Sequence, residues 1–521
     1  MATARKQYLL AIDNGTQSVR AMVFDPDGTL VAKSKIDIVP YLSPEPGLAV
    51  QDAEYFWASL CEACQALWPQ LDFPREDIKA VSVTTQRATV VPVDEAGQPL
   101  YQAISWLDQR TVTTKPNLSA LHKLVLRLYG ANRAVANFHA HAEANWLAQK
   151  CPKIWEKVSK YLLLSGYHTF KLTGNFTDAV ASQVGYLPFD FKGQQWGKHS
   201  DWKWSALPLL PDMLPSLCQA GETLGYITET AAIETGIPAG LPLIASGSDK
   251  ACEVLGSGCL EAGTGSLSYG TTATFNITTE DYVEPDRFHP PYPGVVPGTY
   301  NPEAMVHRGF WMVSWFKKEF GLREQRLADE RGVSAESLFD DLLKAVPAGS
   351  EGLMLQPYWA AGTNNPGPEA RGAMIGFSDV HTRAHIYRAI IEGIAYALRE
   401  GKEALEKRSG QRIKRLSVSG GGSQSDQVMQ ITADIFGMDV ERPGTFETSG
   451  LGAAIAAAVG VGIHPDFKTA TASMTRLGDT FRPAAENHAI YDQLYKQVYQ
   501  KMYKRLRPSY QAIQAIMGQA P

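Results

Sequence analysis

A short apolar run, Tyr8 to Ile12, ends in Asp13-Asn14-Gly15-Thr16-Gln17-Ser18, and a second apolar run, Val19 to Phe24, follows at once. Continuous apolar stretches bounded by turn residues read as buried strands. The chain is therefore committed from its start to two paired strands joined by a tight polar turn that carries a carboxylate. The pattern returns far downstream. Leu267-Ser268-Tyr269-Gly270-Thr271-Thr272-Ala273-Thr274-Phe275 again sets a Gly-Thr pair within apolar alternation, 255 positions on (Gly270 against Gly15) in a chain of 521 residues. A self-similar signal at half the chain length predicts two similarly built halves, and the length itself exceeds one ordinary domain of roughly 100–200 residues. The expected division is 1–245 and 246–521.

Between these anchors the signals alternate. Asp25-Pro26-Asp27-Gly28 is a turn before a third strand, Thr29 to Ile36; a helix is expected from Asp52 to Trp68, a strand at Ile78 to Thr84, and a hairpin around Asp94 to Gly97. Leu243-Ile244-Ala245 is a further strand. In the second half, His381 to Arg399 has helical spacing after Ser378-Asp379, read as its cap. Leu416 to Val418 is a strand running into Gly420-Gly421-Gly422, with a helix from Ser425 to Phe436 beyond. Leu451 to Val459 is a helix of small residues suited to close packing at a domain junction, and Tyr491 to Arg505 reads as a polar-aromatic helix. A strand meander followed by strand–helix alternation indicates α/β domains with mixed sheets.

Composition removes several classes. Hydrophobic residues are 44% and charged residues 20%, a globular balance, and 49 Lys+Arg against 54 Asp+Glu give a net charge of −5. That balance exerts no global pull on nucleic acid or an anionic membrane surface. No apolar run approaches the ~20 residues that span a bilayer, and the start lacks the apolar core of a secretory signal. Six cysteines in so long a chain are no disulfide framework. Cys61 and Cys64 form a CxxC, but within a helical pattern that favours core packing. A reducing cytoplasm is the expected setting.

The Walker phosphate loop, the dinucleotide fingerprint and the GxSxG elbow are all absent. His381 and His385 stand four apart without the glutamate of a zinc protease and read as helix-surface residues; His139 and His141 read as surface or core. The turn after Asp13 offers backbone N–H groups and hydroxyls to an anion, and Asp13 is placed to hold a hydrated Mg²⁺. An ordinary polar hairpin is the alternative. Gly270-Thr271-Thr272 offers a second such turn, and Gly420-Gly421-Gly422 lets a flat group approach the backbone, or simply packs a strand against a helix.

In this order the segments DNGTQSVR, TTQRATVVPVD, SWLDQRT, YLLLSGYHTFKLTGNFTD, GSDKACEVLGSG, YGTTATFNI, the stretch from Glu369 to Glu400, and GGGSQSDQVMQITADIFGMDV resemble the FGGY family of carbohydrate kinases over nearly the whole chain. The resemblance implies two α/β domains of the actin-like ATPase (ribonuclease H-like) fold with ATP and Mg²⁺ in the cleft between them. It implies Asp249 as catalytic base, Asp13 at the metal, and Gly15, Thr16, Gln17, Arg20, Gly270, Thr271, Gly421, Gly422 and Asp426 around ATP. On the sugar side it implies Gln86, Arg87, Trp106, Asp108 and Phe138 beside Asp249. The implied partner is a small sugar or polyol, not nucleic acid or membrane, and a homodimer is compatible with it. Compared with the glycerol-kinase branch, Ala88 stands where that branch has Glu and Phe138 where it has Tyr, and the Gln-Met-His-Gly type motif of xylulokinases is missing. These departures favour a tetrulose, pentulose or larger polyol over glycerol. The alternatives are a glycerol kinase or a sugar-independent ATPase of the actin or chaperone type.

Overall fold

The structure, a computed structural model, describes residues 7–360, 362 and 366–517. Two six-stranded sheets organise it. The first holds β1 (Tyr8–Asn14), β2 (Ser18–Phe24), β3 (Leu30–Asp37), β4 (Ile78–Thr85), β5 (Thr223–Tyr226) and β6 (Pro242–Ile244), in the order β3-β2-β1-β4-β6-β5. The second holds β7 (Thr264–Tyr269), β8 (Ala273–Ile277), β9 (Glu303–Val306), β10 (Arg415–Ser419), β11 (Val440–Pro443) and β12 (Leu477–Phe481), in the order β9-β8-β7-β10-β11-β12. Each sheet opens with an antiparallel three-strand meander, continues with two parallel neighbours and ends in an antiparallel edge strand. The half-chain echo in the sequence is thus a repeat of topology. Gly15-Thr16 joins β1 to β2, and Gly270-Thr271 joins β7 to β8. The apolar segment around Gly270 is accordingly two strands and their turn.

Period-two alternation explains why β1 reads as unbroken hydrophobic sequence. Leu10 and Ile12 pack into a core with helix α1 (Ala53–Leu67), while Leu9 and Ala11 face the opposite core. Both faces are covered, so every residue of β1 is buried. Four further helices position the candidate site: α2 (Asn132–His141), α3 (Leu164–Thr173), α4 (Asp249–Gly256) and, from the second half, the 27-residue α5 (Arg383–Ser409). They are followed by α6 (Asp426–Phe436) and α7 (Thr448–Gly460).

Helix α7 covers the second face of β1, joining the halves through a core that includes Leu451 and Ala453 to Ala458. Its small residues are a geometric necessity. A Cβ on Gly452 would lie 1.9 Å from the Cys252 carbonyl oxygen of α4, and one on Gly256 would lie 2.0 Å from that of Thr448. The two helices therefore cross backbone to backbone, as the small-residue pattern anticipated.

Three local expectations need correction. Helix α5 begins at Arg383, not after Ser378-Asp379: the Thr382 N–H donates to His385 Nδ1 (3.1 Å), and the Ser378 N–H donates to His381 Nδ1 (2.8 Å). The two imidazoles close successive turns rather than decorating a helix surface. The C-terminal segment is two helices, α8 (Ala485–Leu494) and α9 (Gln500–Met517), joined by a π-turn at Tyr495–Tyr499. Its tyrosines are core residues: Tyr491, Tyr495 and Tyr499 surround Tyr396 at ring distances of 6.1, 5.9 and 5.1 Å. The CxxC behaves as packing. Cys64 is buried, and burial pushes the Cys61 thiol up to about 12, far from a reactive thiolate. His139 also belongs to the core, with Nδ1 2.8 Å from the Ala206 carbonyl oxygen.

Candidate active site

The first turn is held from below. His168 of α3 lies 2.8 Å through Nε2 from Asn14 Oδ1, and burial, with Lys171 adding, lowers its pKa to about 3, so it is a neutral donor. Gly15 N–H closes the turn on Ser18 O (3.1 Å), and Trp106 Nε1 donates to Thr16 Oγ1 (3.1 Å). The turn and the Trp-Leu-Asp segment are therefore one assembly, although 90 residues separate their partners. The Gln17 side chain is exposed.

Asp13 and Arg20 are register partners on β1 and β2, and Arg20 Nη1 donates to Asp13 Oδ2 (3.0 Å). Arg20 also faces Glu447 (3.5 Å), which in turn pairs with Lys33 (2.8 Å). The other oxygen, Asp13 Oδ1, is buried without a hydrogen-bond partner. Burial, despite Arg20 and with Asp249 adding, raises this carboxyl to about 6. A buried carboxylate with a free oxygen is a cation ligand in waiting, since its desolvation is offset when a cation arrives.

Asp249 is the first residue of α4, whose N-cap Ser248 follows β6. The Thr84 hydroxyl donates to Gly247 O (2.8 Å), fixing the end of β6 against β4. Burial raises the Asp249 pKa, and the Arg87 and Lys250 charges work against that rise. Arg87 sits just past the end of β4. Its guanidinium lies 5.2 Å from the Tyr292 ring, and its Nη2 donates to Glu303 Oε1 on β9 (3.0 Å). Its neighbour Gln86 donates its N–H to Asn14 O (2.9 Å), while both ends of its buried side-chain amide lack partners. Ala88 is in the left-handed region at φ 50°.

The second turn and the glycine loop stand at the carboxyl ends of the parallel neighbours β7 and β10. Gly270 O accepts from Phe310 N–H (3.1 Å) and Thr271 O from Trp311 N–H (3.3 Å). A side chain at Gly420 (φ 81°) or Gly422 would strike Tyr269 or Phe310, whereas a Cβ at Gly421 would meet nothing within 4 Å. The loop is thus pinned at both flanks and open in the middle, where a flat group can approach. Lys250 belongs to no phosphate-binding pattern in the sequence, yet it reaches this region. Its ammonium bonds to Glu253 and to Ser268 Oγ (2.9 Å), and it lies 4.0 Å from where a Cβ on Gly270 would stand. It therefore places positive charge under the second turn. Glu253 also accepts from Ser419 Oγ, and Ser268 and Ser419 are register partners on β7 and β10.

The structure thus brings together Asp13, Arg20, Thr16, Trp106, Gln86, Arg87 and Asp249. Three predicted residues sit differently. Asp108 is committed elsewhere: its oxygens take Arg110 Nε (2.7 Å) and Nη2 (2.8 Å) and the Ala49 N–H (2.6 Å). Arg110 stacks 4.3 Å from the Trp146 ring, so the pair braces the loop that carries Trp106. Asp426 points to solvent and pairs with Arg442 Nη2 (2.6 Å), which also donates through Nε to Ser423 O (2.8 Å) behind the glycine loop. Phe138 of α2, a ring without a hydroxyl of its own, packs edge-on to Tyr186 (5.6 Å) and Trp202 (5.1 Å).

Residues 8–256 match the N-terminal domain and residues 265–461 the C-terminal domain of the FGGY family of carbohydrate kinases. The chain belongs to that family. It is 31% identical over 527 aligned residues to the uncharacterized sugar kinase YgcE of Escherichia coli K12, covering 98% of this chain and 97% of that one. It is 28% identical to a xylulose kinase of Lactococcus lactis, covering 97% and 99%. The ligand-bound xylulose kinase structure from Lactobacillus acidophilus superposes with a TM-score of 0.81 at 20% identity over 97% of this chain and 100% of that one, which establishes the fold. The FGGY chain is accordingly a two-domain α/β carbohydrate kinase, and the sugar phosphorylation implied by its motifs stands. No helix among the described residues is long and apolar enough to cross a membrane.

The residues suit Mg²⁺ delivered with a nucleotide. Among the described residues no cluster of three or more His, Cys, Asp or Glu forms a metal cage. Mg²⁺ that rides on phosphates needs only one or two carboxylates, and Asp13 Oδ1 is such a donor.

Proposed function

We propose that this FGGY kinase transfers the γ-phosphoryl group of ATP to a hydroxyl of a four- or five-carbon ketose or a larger polyol, with Asp249 as general base. Residues 1–245 would carry the sugar side and the first phosphate turn, and residues 246–521 the base, the second turn and the adenosine loop. The observation that carries the reading is the meeting of Asp249, Arg87, Asp13 and the Thr16 turn, contributed by segments distant in sequence, at one point.

The chemistry follows from the placement. A sugar hydroxyl has a pKa far above neutrality, so it needs only one carboxylate to take its proton as the bond to phosphorus forms. Asp249 accepts the Lys250 N–H at Oδ1 (2.8 Å), which orients the carboxylate and leaves Oδ2 as the oxygen to take that proton. Phosphoryl transfer otherwise demands positioning and charge neutralisation. Thr16 and the Gly270-Thr271 turn offer donors to phosphate oxygens, Lys250 adds a cation below the second turn, and Gly421 receives the adenosine. Mg²⁺, held through Asp13, would supply Lewis-acid neutralisation of the phosphate charge. Gln86 and Arg87 orient the sugar, with Trp106 held beside them by its bond to the Thr16 turn.

The test is a coupled ADP-release screen across glycerol, tetruloses, pentuloses, pentoses and pentitols. Release far above the sugar-free rate with a ketose or pentitol supports the reading. Glycerol as the best substrate refutes the specificity, and a rate independent of any sugar refutes the kinase assignment in favour of an ATPase.

A further inference from the structure

Glu303 lies in no sequence motif and 216 positions from its partner Arg87. It stands at the start of β9, in the second sheet, and reaches Arg87, just past the end of β4 in the first. One carboxylate oxygen, Oε1, takes the Arg87 Nη2 hydrogen (3.0 Å); the other, Oε2, is buried and has no donor. The side chain is only 3% exposed, so Oε2 is not served by bulk solvent. A buried charged acceptor left unpaired is costly, and a single ion pair leaves half of this carboxylate unsatisfied. The neighbouring imidazoles do not repair the deficit. Burial lowers the pKa of both His289 and His307, which keeps them neutral, and neither donates to Glu303 Oε2.

The position after Arg87 carries no carboxylate of its own. Ala88 follows Arg87 with a bare methyl, and Gly185 lies opposite, its Cβ position 3.5 Å from that methyl. The wall on that side is therefore apolar and small, while an acceptor arrives from the other half of the molecule. We propose that Glu303 Oε2 accepts a substrate hydroxyl beside Arg87, so that the Arg87–Glu303 pair reads two adjacent oxygens of a polyhydroxy substrate, one as acceptor and one as donor. Glu303 is then a specificity-determining residue of the phosphorylation site proposed above and rests on that reading. Because its two members come from different halves, the pair presents a complete recognition surface only when the cleft is drawn together. A substrate with neighbouring hydroxyls bridges the halves; one lacking the hydroxyl facing Oε2 leaves the carboxylate unpaired and is rejected.

The test pairs a protein change with a substrate change. D-Xylulose, D-ribulose and ribitol, each with its mono-deoxy analogues, are assayed for kcat/KM and, without ATP, for binding by calorimetry, using wild type, Glu303→Gln and Glu303→Asp. In wild type one deoxy position should cost about 10–100-fold, the worth of a hydrogen bond to a charged acceptor. In Glu303→Gln the parent sugar should lose a comparable factor, mainly in KM, the penalty at that one deoxy position should shrink toward unity, and KM for ATP should stay within about twofold. Melting curves verify that each variant is folded, and Glu303→Asp, which keeps the charge, should restore part of the discrimination. If every deoxy penalty is the same in variant and wild type, Glu303 reads no hydroxyl and the proposal fails while the kinase reading stands. If wild type phosphorylates none of these compounds, the kinase reading fails, and the calorimetric ratios alone still decide the role of Glu303.

Discussion

Replacing Gly452 with alanine puts a methyl group where a carbonyl oxygen already lies. The new Cβ would stand 1.9 Å from Cys252 O, against an optimum near 3.5 Å for non-bonded heavy atoms, so α4 and α7 must part by roughly 1.5 Å along that line. Neither side can relieve the overlap by changing a rotamer, because both are helical backbone. Overpacking in a well-filled core costs ~1–3 kcal/mol, and the upper end applies here; the better helix propensity of alanine returns about 1 kcal/mol at most. A net loss of about 2 kcal/mol lowers Tm by roughly 4–8 °C for domains of this size. The displacement falls on α4, whose first residue is the proposed base Asp249, and an error of about 1 Å at a reacting group costs ~10²-fold in rate. Scanning calorimetry and steady-state kinetics with the best sugar should therefore show a lower Tm together with a kcat reduced about 100-fold. Adding Cys252→Ala should rescue neither, since the obstacle is the carbonyl and not the thiol. A Gly452→Ala protein with unchanged Tm and kcat would refute the backbone crossing.

Four other outcomes are expected. Asp249→Asn should lower kcat by ~10²–10⁴-fold without lowering Tm, because burial already disfavours the charge it removes; near-wild-type kcat would exclude it as the base. Asp13→Ala should cost activity that added Mg²⁺ restores only in part, and normal activity at low Mg²⁺ would place the metal elsewhere. His168 has a pKa near 3 in the fold against 6.5 as its ordinary value, so the unfolded chain binds the extra proton and stability falls as pH drops from 6.5 toward 3; His168→Gln should flatten that acid-side loss in a Tm-versus-pH series, and identical slopes would contradict it. Finally, Ala88→Glu with Phe138→Tyr should raise kcat/KM for glycerol relative to pentuloses, and no improvement would show that these positions do not set the choice.

What the sequence made legible was local. The Asp13 turn could be read because strand, carboxylate and tight turn are contiguous, and the same holds for Gly270-Thr271 and for the glycines after Ser419. The repeated strand order was only hinted at by the second Gly-Thr pair, since topology is fixed by long-range pairing. Asp108 was expected at the sugar because a motif preserves a residue without saying what it touches; its carboxylate is spent on Arg110 and the Ala49 N–H. The partner of Asp426 was not legible either, for a helix-start acid beside a glycine loop can face the loop or, as here, Arg442. Glu303 and Lys250 were invisible as partners of the cleft. One reaches Arg87 across the halves and the other reaches Ser268 from a neighbouring helix, and neither distance is encoded in a short pattern.

The crossing of α4 and α7 has the geometry of a fulcrum. Rotation moves each atom in proportion to its distance from the axis, and the point where two backbones already touch has no slack in which to slide. If the two sheets rock about that crossing, Asp249, on the crossing helix itself, travels least, while Gly421 and Glu303, on the far sheet, sweep the longer arcs. The molecule would then keep the proposed base nearly still and bring the proposed nucleotide loop and Glu303 to it.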